Sequence, residues 1–419
     1  MIFLYGLILP VLAITLWWLI LLAFIIQPKF RAGFFQKMGF YSENKSGKKT
    51  VLVHAVSVGE VNAVENLVKR MRKEFPDDYI VLSTVTKTGQ EVAHNKLKDY
   101  TDEIIYFPYD FFFSVIACLK AVKPDKIVIA ETEIWPMFSY IANLMRIPLI
   151  LVNGRISPTS YNGYRQLKFF FSEVLSWFSQ ILMQTEGDKE RIINIGAPVE
   201  KTEVMGNLKF DIEKNLSEDE KNNLKEQVKI GNNRLFVVAS THRGEDEIAL
   251  SVFRHIKQKH ADAKLLIAPR HPQRYEQVED LLKKEKYPYS KRSLNGDFGA
   301  NDIIMLDTMG ELSKFFSLGY LAFIGGSFSN TGGHNPLEAN IWGVPVISGP
   351  TVFNFKDIYK LLSREGVAKI VQTEEEFIDT ALNFYEDTML HDKVSADCKR
   401  IFDNSRGAID FTIERLKGF

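Results

Sequence analysis

The sequence predicts an α/β protein: two doubly wound parallel-sheet domains behind an N-terminal transmembrane anchor helix. Three observations predict it. No charged residue occurs from Ile2 to Gln27. Two long stretches of the remaining chain alternate short apolar strands with helical segments, the rhythm of a parallel sheet. Between them residues 212–233, "IEKNLSEDEKNNLKEQVKIGNN", are almost wholly polar. The expected division is an anchor at 1–28, a first domain at 29–211, a linker at 212–233 and a second domain at 234–419. The last helix is a candidate to pack back on the first domain.

The apolar run "LILPVLAITLWWLILLAFII" is long enough to cross a hydrocarbon core of roughly 30 Å at about 1.5 Å per residue. Pro10 is tolerable near one end of such a helix. Positive charges follow the run, at Lys29, Arg31 and Lys37, and a cleaved signal peptide has the opposite order. The positive-inside rule then puts everything after residue 28 in the cytoplasm.

In the first domain "TVLVHAV" leads into a helix from about Val61 to Phe75, and "YIVLSTV", "KIVIAE", "PLILVNGR" and "ILMQTEGDKERIINIG" continue the alternation. After the linker, which includes the entry helix of the second unit, the rhythm restarts. "LFVVAST", "AKLLIAPRH", "DIIMLDTMGEL", "YLAFIGGSF", "GVPVISGP" and "GVAKIV" are its strands and the turns after them. In such sheets ligands bind outside the carboxyl ends of the strands, so a cleft between two facing halves is the expected site. Neither half opens with G-x-G-x-x-G, which argues against an ordinary NAD enzyme.

Composition excludes several classes. A chain of 419 residues with 46% hydrophobic and 25% charged content is an ordinary globular protein of about two domains. Lys plus Arg and Asp plus Glu both number 52, so no global field favours nucleic acid. Cys118 and Cys398 are far apart and suit a reducing compartment. The eight histidines show no ligand spacing, so no metal site is expected.

Residue types then nominate the site. Ser57-x-x-Glu60 opens the first helix after a strand. It reads either as a capping box or as a carboxylate facing a cleft to remove a proton; the local pattern by itself favours the cap. "ETEIWP" puts Glu131 and Glu133 after another strand. "NGRIS" adds Arg155, and "GNLKFD" adds Lys209 as a stabiliser of negative charge. In "GGSFSNTGGHNPLEAN", Gly325, Gly326, Gly332 and Gly333 allow backbone N–H groups to approach an anion. Asn335 is placed to cap the next helix and Pro336 suits its first position. Leu337 and Glu338 follow, with Glu338 a candidate acceptor for ribose hydroxyls. "DTMGEL" repeats the design: Asp307 is a cap, with Met309, Gly310 and Glu311 behind it. In "APRHPQR", Pro269 precedes Arg270, a natural partner for phosphate or carboxylate.

Taken in order, "HAVSVGE", "ETEIWP", "NGRIS", "GNLKFD", "ASTHRGEDE", "APRHPQR", "DTMGEL" and "GGHNPLEAN" resemble the 3-deoxy-D-manno-octulosonic acid (Kdo) transferase family over nearly the whole chain. The resemblance implies a GT-B glycosyltransferase on the inner membrane, with its catalytic body on the cytoplasmic side. Such an enzyme transfers Kdo from CMP-Kdo to a lipid A precursor (lipid IVA) in lipopolysaccharide synthesis, with inversion and without a cofactor. It implies Glu60 as general base, Glu131 and Lys209 as transition-state stabilisers, and CMP binding at Pro269, Arg270, Met309, Gly310, Glu311, Asn335, Pro336, Leu337 and Glu338. Three positions depart from the family pattern: Met137 stands where Asn is expected, Gly154 for Ala and Arg243 for Glu. Basic "KFRAGFFQKMGF" and aromatic "LKFFFSEVLSWF" are candidates for lipid contact, the second equally an ordinary buried helix. Two alternatives stand beside this reading: a membrane-bound GT-B enzyme using a UDP-sugar, and a membrane-tethered nucleotide-binding protein without turnover.

Overall fold

The computed structural model describes residues 1–16, 18, 26, 31–212, 216–405 and 407–419. It divides into two compact units: residues 1–211 with 405–419, and residues 212–404. Much of the expected anchor, at 17, 19–25 and 27–28, lies outside the described residues, as do 213–215 of the expected linker. No helix among the described residues is long and apolar enough to cross a membrane.

The first unit carries seven strands: β1 Thr50–His54, β2 Tyr79–Thr84, β3 Glu103–Tyr106, β4 Lys126–Ala130, β5 Leu149–Gly154, β6 Gln180–Met183 and β7 Thr202–Val204. They form one parallel sheet in the order β3-β2-β1-β4-β5-β6-β7. Side chains alternate across it, so Val51 and Val53 enter one core cluster and Leu52 the other. Both faces are therefore covered, as an all-parallel sheet requires. Ala408, Ile413 and Leu416 of the C-terminal helix Ala408–Lys417 join the cluster on the Val51 face. Residues 405–419 thus belong to the first unit, outside the second domain expected at 234–419.

The opposite face receives the N-terminal helix Ile2–Thr15. Ile2 is buried, Phe3 meets Tyr140 edge-on at 5.9 Å, and the Tyr5 hydroxyl donates to Asp110 at 2.9 Å. Asp110 also accepts from the Met137 and Phe138 N–H groups at 3.0 and 2.8 Å. It thereby satisfies the start of the helix Pro136–Leu144, whose own N-cap, Trp135, offers no side-chain bond. Burial holds the Asp110 carboxyl above its usual range despite these donors. Asp110→Ala is expected to cost about 2–3 kcal/mol, because two helix N–H groups and a phenol lose their acceptor together. The urea midpoint of the first unit measures it. Met137, one departure from the family pattern, fills space against Gly6 of the N-terminal helix. At Gly154, another, a β-carbon would lie 2.5 Å from the Met183 sulfur.

The second unit repeats the architecture with β8 Arg234–Thr241, β9 Ala263–Pro269, β10 Tyr289–Lys291, β11 Ile303–Met305, β12 Gly319–Ile324, β13 Val346–Ser348 and β14 Ala368–Ile370. The order is β10-β11-β9-β8-β12-β13-β14, all parallel. Its entry helix Glu218–Gln227 is closed by a complete capping box between Ser217 and Glu220.

In each sheet the chain crosses to the other side of its first strand, between β1 and β4 and between β8 and β12. At such a switch point the flanking loops diverge to opposite faces and leave a crevice at the strands' carboxyl ends. Three residues other than glycine hold a positive φ at these strand ends: Glu131 at 56°, Asn153 at 55° and Ser240 at 55°. Each costs on the order of 1 kcal/mol or more, and such strain concentrates at functional sites.

Candidate active site

The β1/β4 switch point gathers the carboxylates of the first unit. Glu60 opens the helix Val58–Glu74 directly after β1, and Glu131 and Glu133 follow β4. Glu60 is 8% exposed. Its carboxylate accepts from the Val56 N–H at 2.5 Å and the Ser57 hydroxyl at 3.2 Å. The capping box does not form. Ser57 makes no side-chain cap bond to the helix; it donates to Glu60 instead, and Glu60 reaches back to Val56. The physical reason is burial of the carboxylate under the β1 turn, where it meets the Val56 N–H and the Ser57 hydroxyl.

A helix start by itself would favour an ionised Glu60. The structure reverses that expectation. Burial, followed by the charges of Glu133 and Glu131, outweighs the two donors and raises the Glu60 pKa to about 8. Glu133 rises to about 7, through burial and then Glu131. A carboxylate with so high a pKa is a far stronger base than one in water.

Glu131 has a cation of its own: Lys209 Nζ lies 3.1 Å from its carboxylate. Lys209 sits in the turn Leu208–Phe210, started by Asn207, whose side chain accepts from the Lys209 N–H at 3.0 Å. The Asn153 side chain accepts from the Leu208 N–H at 3.1 Å, so β5 anchors that turn. Thr132 joins the loops of β4 and β5, donating to the Arg155 carbonyl and accepting from the Arg155 N–H. Glu60, Glu131 and Lys209 are thus brought together, along with Glu133. Burial and coupling of Glu133 to Glu131, which mark it as part of the site, are not visible in "ETEIWP".

In the second unit the adjacency β11-β9-β8-β12 lines up the loops after those strands. Pro269 is buried as the last residue of β9, and Arg270 is exposed beyond it. Tyr275, just past that turn, reaches the exposed Met309 sulfur at 3.5 Å, joining the loops after β9 and β11. Gly310 has φ +84°. Glu311 is held by Thr308 and by Arg292 at 3.2 Å, which lowers its pKa against the effect of burial. Asp307 does not cap the following helix as expected. Its carboxylate accepts from the Ser293 N–H and hydroxyl at 2.8 and 2.6 Å, tying the turn after β10 to the end of β11. Asn335 accepts from the Leu337 N–H at 3.1 Å, with Pro336 and Leu337 buried and Glu338 exposed.

The glycine-rich loop differs most from expectation. Its N–H groups at Gly326, Ser327 and Phe328 already hold an anion, the carboxylate of Glu245, at 2.7, 2.7 and 2.8 Å. Glu245 also accepts from the His242 N–H at 2.8 Å and has no exposed surface. The chain fills the nest with its own side chain, so an incoming phosphate must use other donors. Gly325 is required here because a β-carbon would lie 2.5 Å from the Ser240 carbonyl. Asp246 beside it is paired with Thr241 and Arg274. His242 and His334 face each other across the switch point with Nε2 atoms 3.0 Å apart. Residue-type reasoning passed over Glu245, Asp246, Arg274 and both histidines; the signal available was "STHRGEDE", whose carboxylates follow a strand directly. Among the described residues no group of three or more His, Cys, Asp or Glu is placed to hold a metal.

Residues 32–212 match the family model described as 3-deoxy-D-manno-octulosonic-acid transferase (kdotransferase). The chain is 32% identical to the 3-deoxy-D-manno-octulosonic acid transferase of Haemophilus influenzae over 94% of its own length and 92% of that protein. The chain belongs to the Kdo transferase family. It is also 39% identical to a bifunctional glycosyltransferase/methyltransferase of Fusobacterium nucleatum, over 78% of this chain and 51% of that protein. Among solved structures, UDP-GlcNAc 2-epimerase from Neisseria meningitidis matches 88% of this chain and 100% of its own with a TM-score of 0.52 at 16% identity. That likeness carries the fold alone: two parallel-sheet units of the GT-B type.

Proposed function

We propose that this Kdo transferase moves Kdo from CMP-Kdo to a hydroxyl of a lipid A precursor, lipid IVA, with Glu60 as the general base. The observation that carries the reading is Glu60 itself: buried at the switch point, beside two more carboxylates, with its pKa raised to about 8. In the proposed step Glu60 takes the acceptor hydroxyl proton as that oxygen attacks the anomeric carbon from the face opposite CMP. The bond from that carbon to the phosphate oxygen breaks, and CMP leaves with the electron pair. Glu131 and Lys209 form a fixed ion pair beside the base, ready to balance charge as the proton moves. In the second unit Arg270 and the segments Met309–Glu311 and Asn335–Glu338 hold the nucleotide. The Gly326–Phe328 amides, already bonded to Glu245, serve as scaffold.

Residues 1–28 hold the protein at the inner membrane in this reading, with the rest in the cytoplasm. The described part of that stretch supports it: Phe3, Leu4, Leu7, Ile8, Val11, Leu12 and Ile14 are exposed on the N-terminal helix, an apolar surface that water does not favour.

The test is incubation of the full chain with CMP-Kdo and tetraacylated lipid A precursor, read by mass spectrometry of the lipid, with UDP-sugars in parallel. A gain of one or more Kdo masses is expected; a gain only from a UDP-sugar, or none from protein that binds CMP, overturns the assignment. Lys209→Met should lower kcat by about 10²-fold or more. It should also move the pH-rate rise to higher pH, because an uncompensated Glu131 pushes Glu60 and Glu133 further up. An unshifted profile would assign Lys209 a structural role only.

A further inference from the structure

The β8/β12 switch point of the second unit holds two imidazoles that the reading above leaves unused. His242 follows β8 and His334 lies in the loop after β12. Their rings stack at 5.3 Å and 14°, with the Nε2 atoms 3.0 Å apart. At that distance one nitrogen must donate and the other accept. The neutral pair therefore has one ring with its proton on Nε2 and the other with its proton on Nδ1. A single further proton fits, on the free Nδ1 of the donating ring, and turns the bond into a charge-assisted one between imidazolium and imidazole. A second does not, since it would set two N–H groups against each other.

The surroundings decide when that proton arrives. Arg270 and His271, from the loop after β9, and Arg274, from the turn beyond, act on His242; Arg270 and His271 also act on His334. His271 meets the His242 ring edge-on at 5.5 Å. The carboxylates facing the pair are engaged elsewhere: Glu245 by backbone amides, Asp246 by Thr241 and Arg274. Tyr359, from the helix Lys356–Arg364, donates to the His334 carbonyl at 3.5 Å and is kept a neutral phenol by burial. At His242 burial, together with His271, Arg274 and Arg270, outweighs the charge of Glu245, which still draws a proton toward that ring. Burial, and then Arg270 for His334, hold both imidazoles below their ordinary range, His334 at about 4.

We propose that the His242–His334 pair regulates charge at the donor site, taking up one proton when an anionic sugar nucleotide settles beside Arg270. The proposal rests on the donor-site reading above and adds to it a proton-coupled binding step. The ligand's phosphodiester and carboxylate supply the negative charge that the empty site lacks. The imidazolium then becomes favourable, and its free Nδ1–H or the strengthened pair faces the anion. The sign follows from linkage. The empty pair is neutral near pH 7 and the occupied pair is cationic, so binding consumes protons and tightens as pH falls.

The experiment is calorimetric titration of the full chain with CMP-Kdo, without acceptor, in PIPES and in Tris between about pH 6 and about pH 8. CMP-Kdo has no group titrating in that window, so any proton uptake belongs to the protein. The expected result is a binding enthalpy that differs between buffers by the heat of up to about one proton per ligand. Affinity should rise by up to about tenfold for each pH unit lowered. His334→Gln and His242→Gln should each flatten the slope while still binding donor, and either variant reads the same quantity if the other does not fold. Binding with equal enthalpy in both buffers, or a variant that keeps the full slope, overturns the proposal and leaves the donor site standing. No binding of CMP-Kdo at any pH removes the donor-site reading and this proposal together.

Discussion

Glu60→Gln is expected to lower kcat for Kdo transfer by about 10²–10⁴-fold, the range a positioned general base contributes, while CMP-Kdo binding to the second unit stays unchanged. A steady-state assay with a separate binding titration checks both halves. The wild-type rate should rise with pH through about 8, as the buried carboxylate loses its proton. Stability should move the opposite way from activity. In the unfolded chain this carboxyl ionises in the ordinary acid range, and in the native chain only near 8. Between those values the native state binds the extra proton, so native stability falls as pH rises. Glutamine cannot ionise, and Glu60→Gln should become the more stable protein in the alkaline half of that window. A helix-capping role makes the contrary prediction: Glu60→Gln destabilised at every pH, with activity lost only through unfolding. Urea midpoints at about pH 6 and about pH 8.5 separate the two.

Glu245→Ala should destabilise the second unit by about 4 kcal/mol. The amides of His242, Gly326, Ser327 and Phe328 lose their shared acceptor at once, and each buried orphan costs about 1–3 kcal/mol before any water enters. Gln at this position should cost less, because one oxygen still accepts, but its NH₂ group opposes the remaining amides. Donor binding should fall with either change, since the loop that carries Asn335 to Glu338 begins on those amides. Urea unfolding followed with a probe in the second unit tests it. An unaltered midpoint for Glu245→Ala would mean that the Gly325–Phe328 turn holds its shape without its internal anion.

Two identical local patterns show where sequence reasoning reaches and where it stops. Ser217-x-x-Glu220 and Ser57-x-x-Glu60 both spell a capping box, and only the first forms one. At Ser217 the helix is exposed and polar, so nothing competes with the local bonds. At Ser57 the strand β1 delivers the glutamate beneath its own turn and beside Glu131 and Glu133, which follow β4 more than seventy residues later and lie outside any four-residue window. Glu131 and Lys209 each come after a strand, and a parallel sheet puts such residues on one edge. Their 3.1 Å pairing needed the register of β4 against β5.

The sequence by itself determined the α/β class, the two-sheet organisation, the family and the strand ends at which chemistry-bearing residues gather. It does so because alternation of apolar strands and helices, and the residue types after strands, are local signals. Only the tertiary structure decided the charge states and the partners. It showed that Glu60 is raised to about 8, and that Glu245 occupies the glycine-rich turn as an internal anion. It also set His242 against His334, ninety-two positions apart in sequence. Desolvation and Coulomb coupling fall off with distance in space, and the switch points of the two sheets set those distances.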